Sequence, residues 1–228
     1  MIKRNHCYLF IIALGLLISN VQASTLQDNK HQSADQIMEN ASSLFTSKGG
    51  VSILFKMVTH DNKSLVVATN QGLLQMDSLK YMLKTDVSQS WYDGATQWSY
   101  LTDTEEVNIL SPSNAELLES NPYLFIFSYK DLFNAKLLSD FVFTGSSKTN
   151  SSLNFIEFIP KSKDYPYQKI VLGIDKFSYE MNQMDIFMTD GHVMNLTVQQ
   201  FKTGIQYSKK TFQFVKGLLP DAEIIDLR

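Results

Sequence analysis

The sequence predicts an α+β fold that is mainly antiparallel β: a strongly curved, incomplete β-barrel of about ten or eleven strands, with helices on its concave face. Two observations that support this fold class come from periodicity. Apolar residues alternate with polar ones in most segments after residue 50, and a stripe of apolar residues at helical spacing precedes them. The third is a pair of hairpin signals, Asp93-Gly94 and Asp190-Gly191, each between apolar or aromatic flanks. Open sheets of this size rarely stay flat, so the sheet is expected to curl.

The N-terminus has the pattern of a cleavable signal peptide. A basic start precedes an apolar run from Tyr8 to Ile18, and Val21-Gln22-Ala23 places small residues where a signal peptidase cuts. An uncleaved anchor is disfavoured because the run is shorter than the about 20 residues that span a bilayer. We therefore expect a signal peptide at 1–23, a flexible segment at 24–32 and a single domain at 33–228.

Composition argues against several classes of function. Cys7 is the only cysteine and lies before the apolar run, so cleavage removes every thiol and with it disulfides, thiol catalysis and cysteine-bound metals. The net charge is −3 and the charges are mixed, which disfavours a nucleic-acid binder. His60 and His192 stand beside turns, and no nucleophile elbow or phosphate-binding glycine loop is present. We expect no catalytic residue, no metal, no cofactor and no enzyme activity.

The first predicted element is an amphipathic helix. Ser33-Ala34-Asp35-Gln36 has the pattern of a capping box, in which serine and glutamine satisfy the first free N–H groups. Ile37, Ala41, Leu44 and Phe45 then share one helical face. Gly49-Gly50 ends the helix.

Strands follow on both sides of a central interruption. Each predicted strand is rich in alternating apolar residues and is bounded by turn residues. The predicted strands are 51–57, 64–76, 79–84, 98–100, 107–109, 137–144, 153–159, 168–175, 183–189, 192–201 and 211–215.

The interruption contains the most apolar run after the N-terminus. Residues 121–129 hold four aromatic side chains, and Asn121-Pro122 separates them from one or two helical turns at 115–119. A helix that continues to residue 133 is favoured, although aromatic residues and isoleucine also suit a strand. An apolar run of this kind would form an exposed hydrophobic patch in water. We therefore expect it to be buried against another part of the protein.

One face of the predicted sheet is apolar in nearly every strand. Either the barrel closes and these residues fill it, or a cavity remains for an apolar guest. Four methionines, at 181, 184, 188 and 194, suit an adaptable cavity, but methionine is also an ordinary core residue, so the cluster is only weak evidence for ligand contact. The candidate cavity residues are Phe55, Met57, Val67, Leu79, Tyr81, Leu83, Trp98, Tyr100, Ile186, Met188, Leu196 and Val198.

Several short motifs, in this order, resemble those of the LolA-type periplasmic lipoprotein carriers. The residues from Tyr92 to Tyr100 are similar to the family's Asp-Gly-x-Thr-x-Trp hairpin, and those from Asn121 to Ile126 to its proline-led central helix. Phe158-Ile159-Pro160-Lys161 resembles its strand-ending Thr-Pro-Lys, and Phe201-Lys202-Thr203-Gly204 to Phe212-Gln213-Phe214 its last strands. The resemblance covers essentially the whole chain after the signal peptide.

The resemblance implies a half-barrel carrier in the periplasm of a Gram-negative bacterium. Such a chaperone takes acylated lipoproteins from an inner-membrane ABC-type release complex, holds their acyl chains in the concave cavity and passes them to an outer-membrane acceptor. It acts as a monomer, without a cofactor and without nucleic acid. The central helix would be the lid, formed by Tyr123, Leu124, Phe125 and Phe127.

The sequence departs from the family at the lid. Characterised members have an arginine near the third strand that latches the lid, but the only arginine after the signal peptide is Arg228. Lysine cannot form the bidentate hydrogen bonds with which an arginine guanidinium group binds carbonyls and carboxylates. We therefore expect an apolar latch in which Tyr123, Leu124 and Phe127 pack against Leu79 and Tyr81.

Two other functions remain open at this stage. Folds of this shape also serve as periplasmic regulators that bind a lipid or a signalling protein. A lipid hydrolase would need a nucleophile beside a base, which the sequence does not offer.

Overall fold

The computed structural model describes residues 32–46, 49–113, 116–117, 121 and 124–228. They form twelve strands in one sheet and two helices. The predicted signal peptide and residues 24–31 lie outside the described residues. Within the described part of the chain, no helix is long and apolar enough to cross a membrane.

The elements follow the alternation that the sequence predicts. Their bounds are α1 (Ala34–Ser43), β1 (Gly50–His60), β2 (Val66–Asp77), β3 (Lys80–Thr85), β4 (Ser88–Tyr92), β5 (Gln97–Leu101), β6 (Glu106–Leu110), α2 (Phe125–Leu132), β7 (Phe133–Leu138), β8 (Leu153–Pro160), β9 (Tyr167–Asp175), β10 (Met181–Met188), β11 (Val193–Ile205), two 3₁₀ turns (Lys209–Phe212 and Lys216–Leu218) and β12 (Glu223–Asp226).

The sheet has the order β12-β6-β5-β4-β3-β2-β1-β11-β10-β9-β8-β7. All neighbouring strands are antiparallel except β12 and β6, which are parallel. Because β12 and β7 are edges that do not meet, the sheet is not closed into a barrel. The predicted fold class, a curved antiparallel sheet with helices, is confirmed.

The helix α1 begins as the sequence predicts. The Ser33 hydroxyl oxygen accepts a hydrogen bond from the Gln36 N–H at 3.2 Å, and the Gln36 side chain accepts one from the Ser33 N–H at 2.9 Å. Together they satisfy free donors at the helix start. Ile37, Met38 and Ala41 are buried against the sheet.

We call the face that α1 and α2 cover the inner face, and the opposite face the outer face. Directly opposed residues of paired strands lie on the same face. The inner face therefore carries alternate residues, such as Ile53 of β1 opposite Leu74 of β2 and Ile156 of β8 opposite Leu172 of β9. These four side chains are fully buried, so the main core lies between the inner face and the helices.

Aromatic side chains from loop segments pack on the outer face, and the periodicity of the sequence does not predict this. The predicted strand at 137–144 is wrong beyond Leu138, because Phe141 and Phe143 leave the sheet and fold over its outer face. There they pack with Phe155 and Phe187, at ring distances of 5.0 to 6.5 Å within this cluster.

The predicted strand at 211–215 is also wrong. A 3₁₀ turn over Lys209–Phe212 brings Phe212 within 5.3 Å of the Tyr207 ring, and Phe214 lies 5.5 Å from the buried Trp91 ring. Burying these aromatics on the outer face requires a turn, not an extended chain. The last strand is instead β12, which pairs with β6.

Candidate functional site

The helix α2 inserts aromatic side chains into the inner face. Phe125 is 1 % exposed, and its ring lies 4.9 Å from the ring of Phe158 in an edge-to-face arrangement. Tyr129 contacts the same phenylalanine at 5.5 Å, and Ile126 is buried beside them. Edge-to-face pairs of this kind add about 0.5–1.5 kcal/mol to the free energy of burial. The centre of the inner face is therefore occupied by α2.

Two polar contacts join α2 to α1. The Tyr129 hydroxyl donates a hydrogen bond to the Asp35 carboxylate at 2.8 Å. Lys130 forms an ion pair with Glu39 at 2.9 Å, but both side chains are more than half exposed, so this pair contributes little. Burial and then the hydrogen bond to Asp35 raise the pKa of the Tyr129 hydroxyl above its ordinary value, so the hydroxyl stays protonated as a donor.

A lysine holds the C-terminal end of α2. The Lys161 main-chain N–H donates to the Leu132 carbonyl oxygen at 2.8 Å, and its ammonium group donates to the Lys130 carbonyl oxygen. These carbonyls belong to the last turn of the helix, which has no internal donors left for them. A cation is also favoured there by the helix dipole. Lys161 directly follows β8, so the sheet positions it.

The apolar latch predicted from sequence is wrong in one of its contacts. Leu79 is 53 % exposed because it forms a two-residue turn with Ser78, whose φ is 56°. Phe127 instead packs against Phe45, just after α1, at a ring distance of 5.8 Å. Leu124 is buried, whereas Tyr123 lies outside the described residues.

Most of the predicted cavity residues lie on the inner face. Phe55, Tyr81, Ile186 and Leu196 are buried in the main core. The half-buried Met57, Leu83, Met188 and Val198 pack against it. The structure brings these eight side chains to one face; their contact with acyl chains stays a prediction.

Four predicted cavity residues do not face inward. Trp98 lies opposite Trp91, and Tyr100 opposite Val107, on the outer face; the inner residues of β5 are Gln97, Ser99 and Leu101. Alternation identifies two faces but not which one the helices cover. Leu79 stands in the turn described above. Val67 is 55 % exposed and precedes the inner-facing Ala68, so it points outward at the end of a hairpin.

The inner face becomes polar at β4 to β6, which the sequence did not indicate. The Gln97 amide donates to the Ser99 hydroxyl at 3.0 Å, and Ser99 lies 3.2 Å from the Ser90 hydroxyl. A cavity of about 550 Å³ adjoins this region. It is lined by Gln97, Leu110, Ser111, Pro112, Glu116, Leu227 and Arg228.

Among the described residues, the titratable side chains form no metal-binding cluster. Over the described residues, no three His, Cys, Asp or Glu side chains lie close enough to hold a metal. His60 ends β1 on the outer face. Its side chain is buried, and its Nδ1 has no hydrogen-bond partner. Asp185 is also buried on the outer face, where it accepts hydrogen bonds from the Thr144 N–H and the Asn195 amide.

Comparison with protein families identifies one match. The family described as "Outer membrane lipoprotein carrier protein LolA" matches residues 23–192, which is most of the chain. No curated protein sequence matches.

Solved structures show a similar fold at low sequence identity. An uncharacterized conserved protein from Thermus thermophilus is 10 % identical and covers 85 % of this chain and 98 % of its own, with a TM-score of 0.56. A putative outer membrane lipoprotein-sorting protein domain from Vibrio parahaemolyticus is 17 % identical over 81 % of this chain and 97 % of its own, with a TM-score of 0.43. A LolA superfamily protein from Nitrosomonas europaea is 10 % identical over 80 % and 98 %, also with a TM-score of 0.43.

Proposed function

Since the chain belongs to the family of LolA outer membrane lipoprotein carrier proteins, we propose that it carries lipoproteins across the periplasm, from the inner to the outer membrane, with their acyl chains bound on the inner face of its sheet. Exposing an acyl chain to water costs about 0.8 kcal/mol per CH₂ group, so the chains of a lipoprotein need a cover during the crossing. The carrier does no covalent chemistry on its cargo.

One observation carries this proposal: a short helix occupies the apolar inner face. The helix α2 has only 8 residues, and isolated helices below about 12–15 residues are marginal in water. Its position therefore depends on the burial of Phe125, Ile126 and Tyr129 against the sheet. An acyl chain can contact the same apolar surfaces of the sheet. It can therefore bind in place of α2 and displace the helix.

The inner face under α2 has the chemistry that acyl chains need. The side chains that contact or surround α2 are aromatic or aliphatic: Phe133, Ile156, Phe158, Ile170, Leu172 and Ile186. An acyl chain needs no hydrogen bond from its site, and none of these side chains offers one. Moderate affinity suits such a site, because the cargo must leave again at the acceptor.

The closed state is held by contacts that can be broken one at a time. The Tyr129–Asp35 hydrogen bond, the Lys130–Glu39 pair and the Lys161 cap all lie at the rim of the inner face, where water can replace each partner. Each is worth about 1.5 kcal/mol or less. The free energy of cargo binding can therefore offset the loss of these contacts when the lid opens.

We propose that the cargo donor is an inner-membrane ABC-type release complex and the cargo receiver an outer-membrane acceptor, as the family's description as outer membrane lipoprotein carriers suggests. We propose that the carrier is a monomer, that the domain spans residues 33–228 and that residues 1–23 are removed on export. The cavity residues are the eight inner-facing ones named above, with Leu124, Phe125 and Phe127 as lid.

Native mass spectrometry of the protein purified from periplasm tests the proposal. The expected result is a complex whose additional mass is that of acylated lipoproteins, and depletion of the protein should leave lipoproteins at the inner membrane. A protein with no acylated cargo and one fixed protein partner would instead identify a sensor or regulatory module. The proposal would then be wrong.

A further inference from the structure

The first half of β2 has a neighbouring strand on one side only. β1 pairs with β2 from Val66 to Met76, with a register shift between Ala68 and Val66. β3 pairs only with the second half, Gly72 to Asp77. Among the described residues no strand pairs with the other side of residues 66–71, so a free sheet edge remains inside an otherwise paired strand.

The direction of the main-chain groups on this edge follows from one hydrogen bond. The Gln71 N–H donates to the Asp86 carboxylate at 3.0 Å, on the side where β3 runs. Main-chain groups alternate sides along an antiparallel strand. The register with β1 is unbroken from Gln71 to Ala68, so the N–H and C=O groups of Thr69 point to the same side, beyond the end of β3. They are available to an added strand.

The edge lacks two of the features that usually protect such strands. Natural edges carry charged residues or proline to prevent pairing with other chains. The segment from Leu65 to Asn70 has neither. Leu65, Val66 and Val67 are 62 %, 60 % and 55 % exposed, and β-branched residues favour strand pairing.

This edge is continuous with the surface that α2 covers. Each inner residue along one row of the sheet lies opposite the next, starting from Ala68 at the free edge. The row runs through Ala68, Thr59, Met194, Ile186, Ile170 and Phe158, and Phe158 is the residue that Phe125 and Tyr129 contact. An acyl chain that replaced α2 could follow this row outward to β2.

We propose that the free edge at Val66–Gln71 binds, as an added β-strand, the extended peptide that follows the acylated cysteine of the cargo. This inference rests on the proposed function. Main-chain pairing does not depend on the cargo's sequence, which suits a carrier of different polypeptides that share only their acylated end. The inner side chains Ala68 and Asn70 would contact alternate residues of that peptide.

Two ligands separate this inference from the proposed function. One is a tripalmitoylated cysteine amide, and the other is the same group followed by an uncharged peptide of roughly ten residues, long enough to cover the edge. Both should bind if the proposed function is right. Hydrogen exchange at the Thr69 amide should slow about tenfold or more with the peptide-bearing ligand only. If exchange is equal with both bound ligands, the inference is wrong. If neither ligand binds, the proposed function is wrong.

A proline variant gives a second readout. Thr69→Pro removes the N–H that faces the free edge, at a kind of position where edge strands tolerate proline. The affinity of the peptide-bearing ligand should fall about tenfold, to that of the amide, while the amide's affinity stays unchanged. Thr69→Val keeps the N–H and should match the native protein. If Thr69→Pro is poorly folded by circular dichroism, the hydrogen-exchange result alone decides.

A second copy of the chain is the competing occupant of the edge. It would appear as a dimer in light scattering that Thr69→Pro abolishes and that the peptide-bearing ligand does not displace. That result would overturn the inference, because the edge would then be closed to cargo.

Discussion

The ammonium group of Lys161 donates a hydrogen bond to the main-chain carbonyl oxygen of Lys130, in the last turn of α2. Together with the Lys161 N–H on the Leu132 carbonyl, it fixes the end of α2 to the end of β8. The contact uses a cation as a cap for a helix C-terminus, a role in which lysine is sufficient. It gives α2 an attachment to the sheet that needs no arginine.

Removing this cation should loosen the lid. Lys161→Met keeps the apolar stem and loses the ammonium group, so α2 should be destabilised by about 0.3–1 kcal/mol. Hydrogen exchange of the α2 amides should become about two- to fivefold faster. Lys163→Met, at an exposed residue of the following turn, is the matched control and should change nothing. Equal exchange in the two variants would show that the Lys161 cap does not hold α2.

The Tyr129–Asp35 hydrogen bond predicts an effect at alkaline pH. Burial and this bond raise the pKa of Tyr129 above its unfolded value of 10.0, so the folded state keeps the proton longer than the unfolded state. The stability that Tyr129 contributes is therefore complete below pH 10 and is lost as pH rises through the folded pKa. Urea unfolding should show that the native protein loses stability above pH 10 more steeply than Tyr129→Phe.

The same variant gives the size of the bond. Below pH 9, Tyr129→Phe should be about 0.5–1.5 kcal/mol less stable than the native protein, since Asp35 is exposed and water can replace the hydroxyl. Tyr92 and Tyr207 also have raised pKa values, and both are present in the two proteins, so their effects cancel in the comparison. Parallel pH profiles would exclude a contribution from Tyr129.

Local chemistry explains which parts of the fold the sequence could predict. The Asp93 carboxylate accepts hydrogen bonds from the Ala95 and Thr96 N–H groups, and Gly191 has φ 91°, so both hairpins are specified by the residues that form them. The capping box of α1 is equally local. Such signals lie within four residues of one another and can be read without knowing the rest of the chain.

Contacts between distant segments explain what the sequence could not predict. Trp98 and Tyr100 alternate like core residues, yet they point outward because distant segments cover that side of the sheet, as Phe214 does at Trp91. The attachment of α2 to Lys161 is missed for the same reason, since Lys161 lies 31 positions from its acceptor Lys130. Alternation in a single strand shows that it has two faces, but only the strands and loops around it decide which face is covered.

Polar substitution in the lid should release cargo. The double variant Leu124→Ser and Phe127→Ser removes a buried side chain and the ring that packs on Phe45, so the closed state loses several kcal/mol of apolar burial. A bound acylated peptide with a fluorescent label should dissociate at least tenfold faster from it than from the native protein. Phe177→Ser, at a phenylalanine that is 88 % exposed, is the control. Unchanged dissociation from the double variant would show that α2 does not retain cargo.

The two faces of the sheet also predict a spectroscopic difference. Trp91 and Trp98, the only tryptophans, lie on the outer face, whereas Met188 lies half-buried on the inner face. A spin-labelled fatty acid bound on the inner face should therefore quench the native fluorescence only weakly, because the sheet separates the label from both indoles. Met188→Trp, made together with Trp91→Phe and Trp98→Phe, should be quenched strongly by the same ligand at the same occupancy. Stronger quenching of the native tryptophans than of residue 188 would place the acyl chains on the outer face, against the Trp91 and Phe214 rings, and would contradict the assignment of the inner face as the binding site.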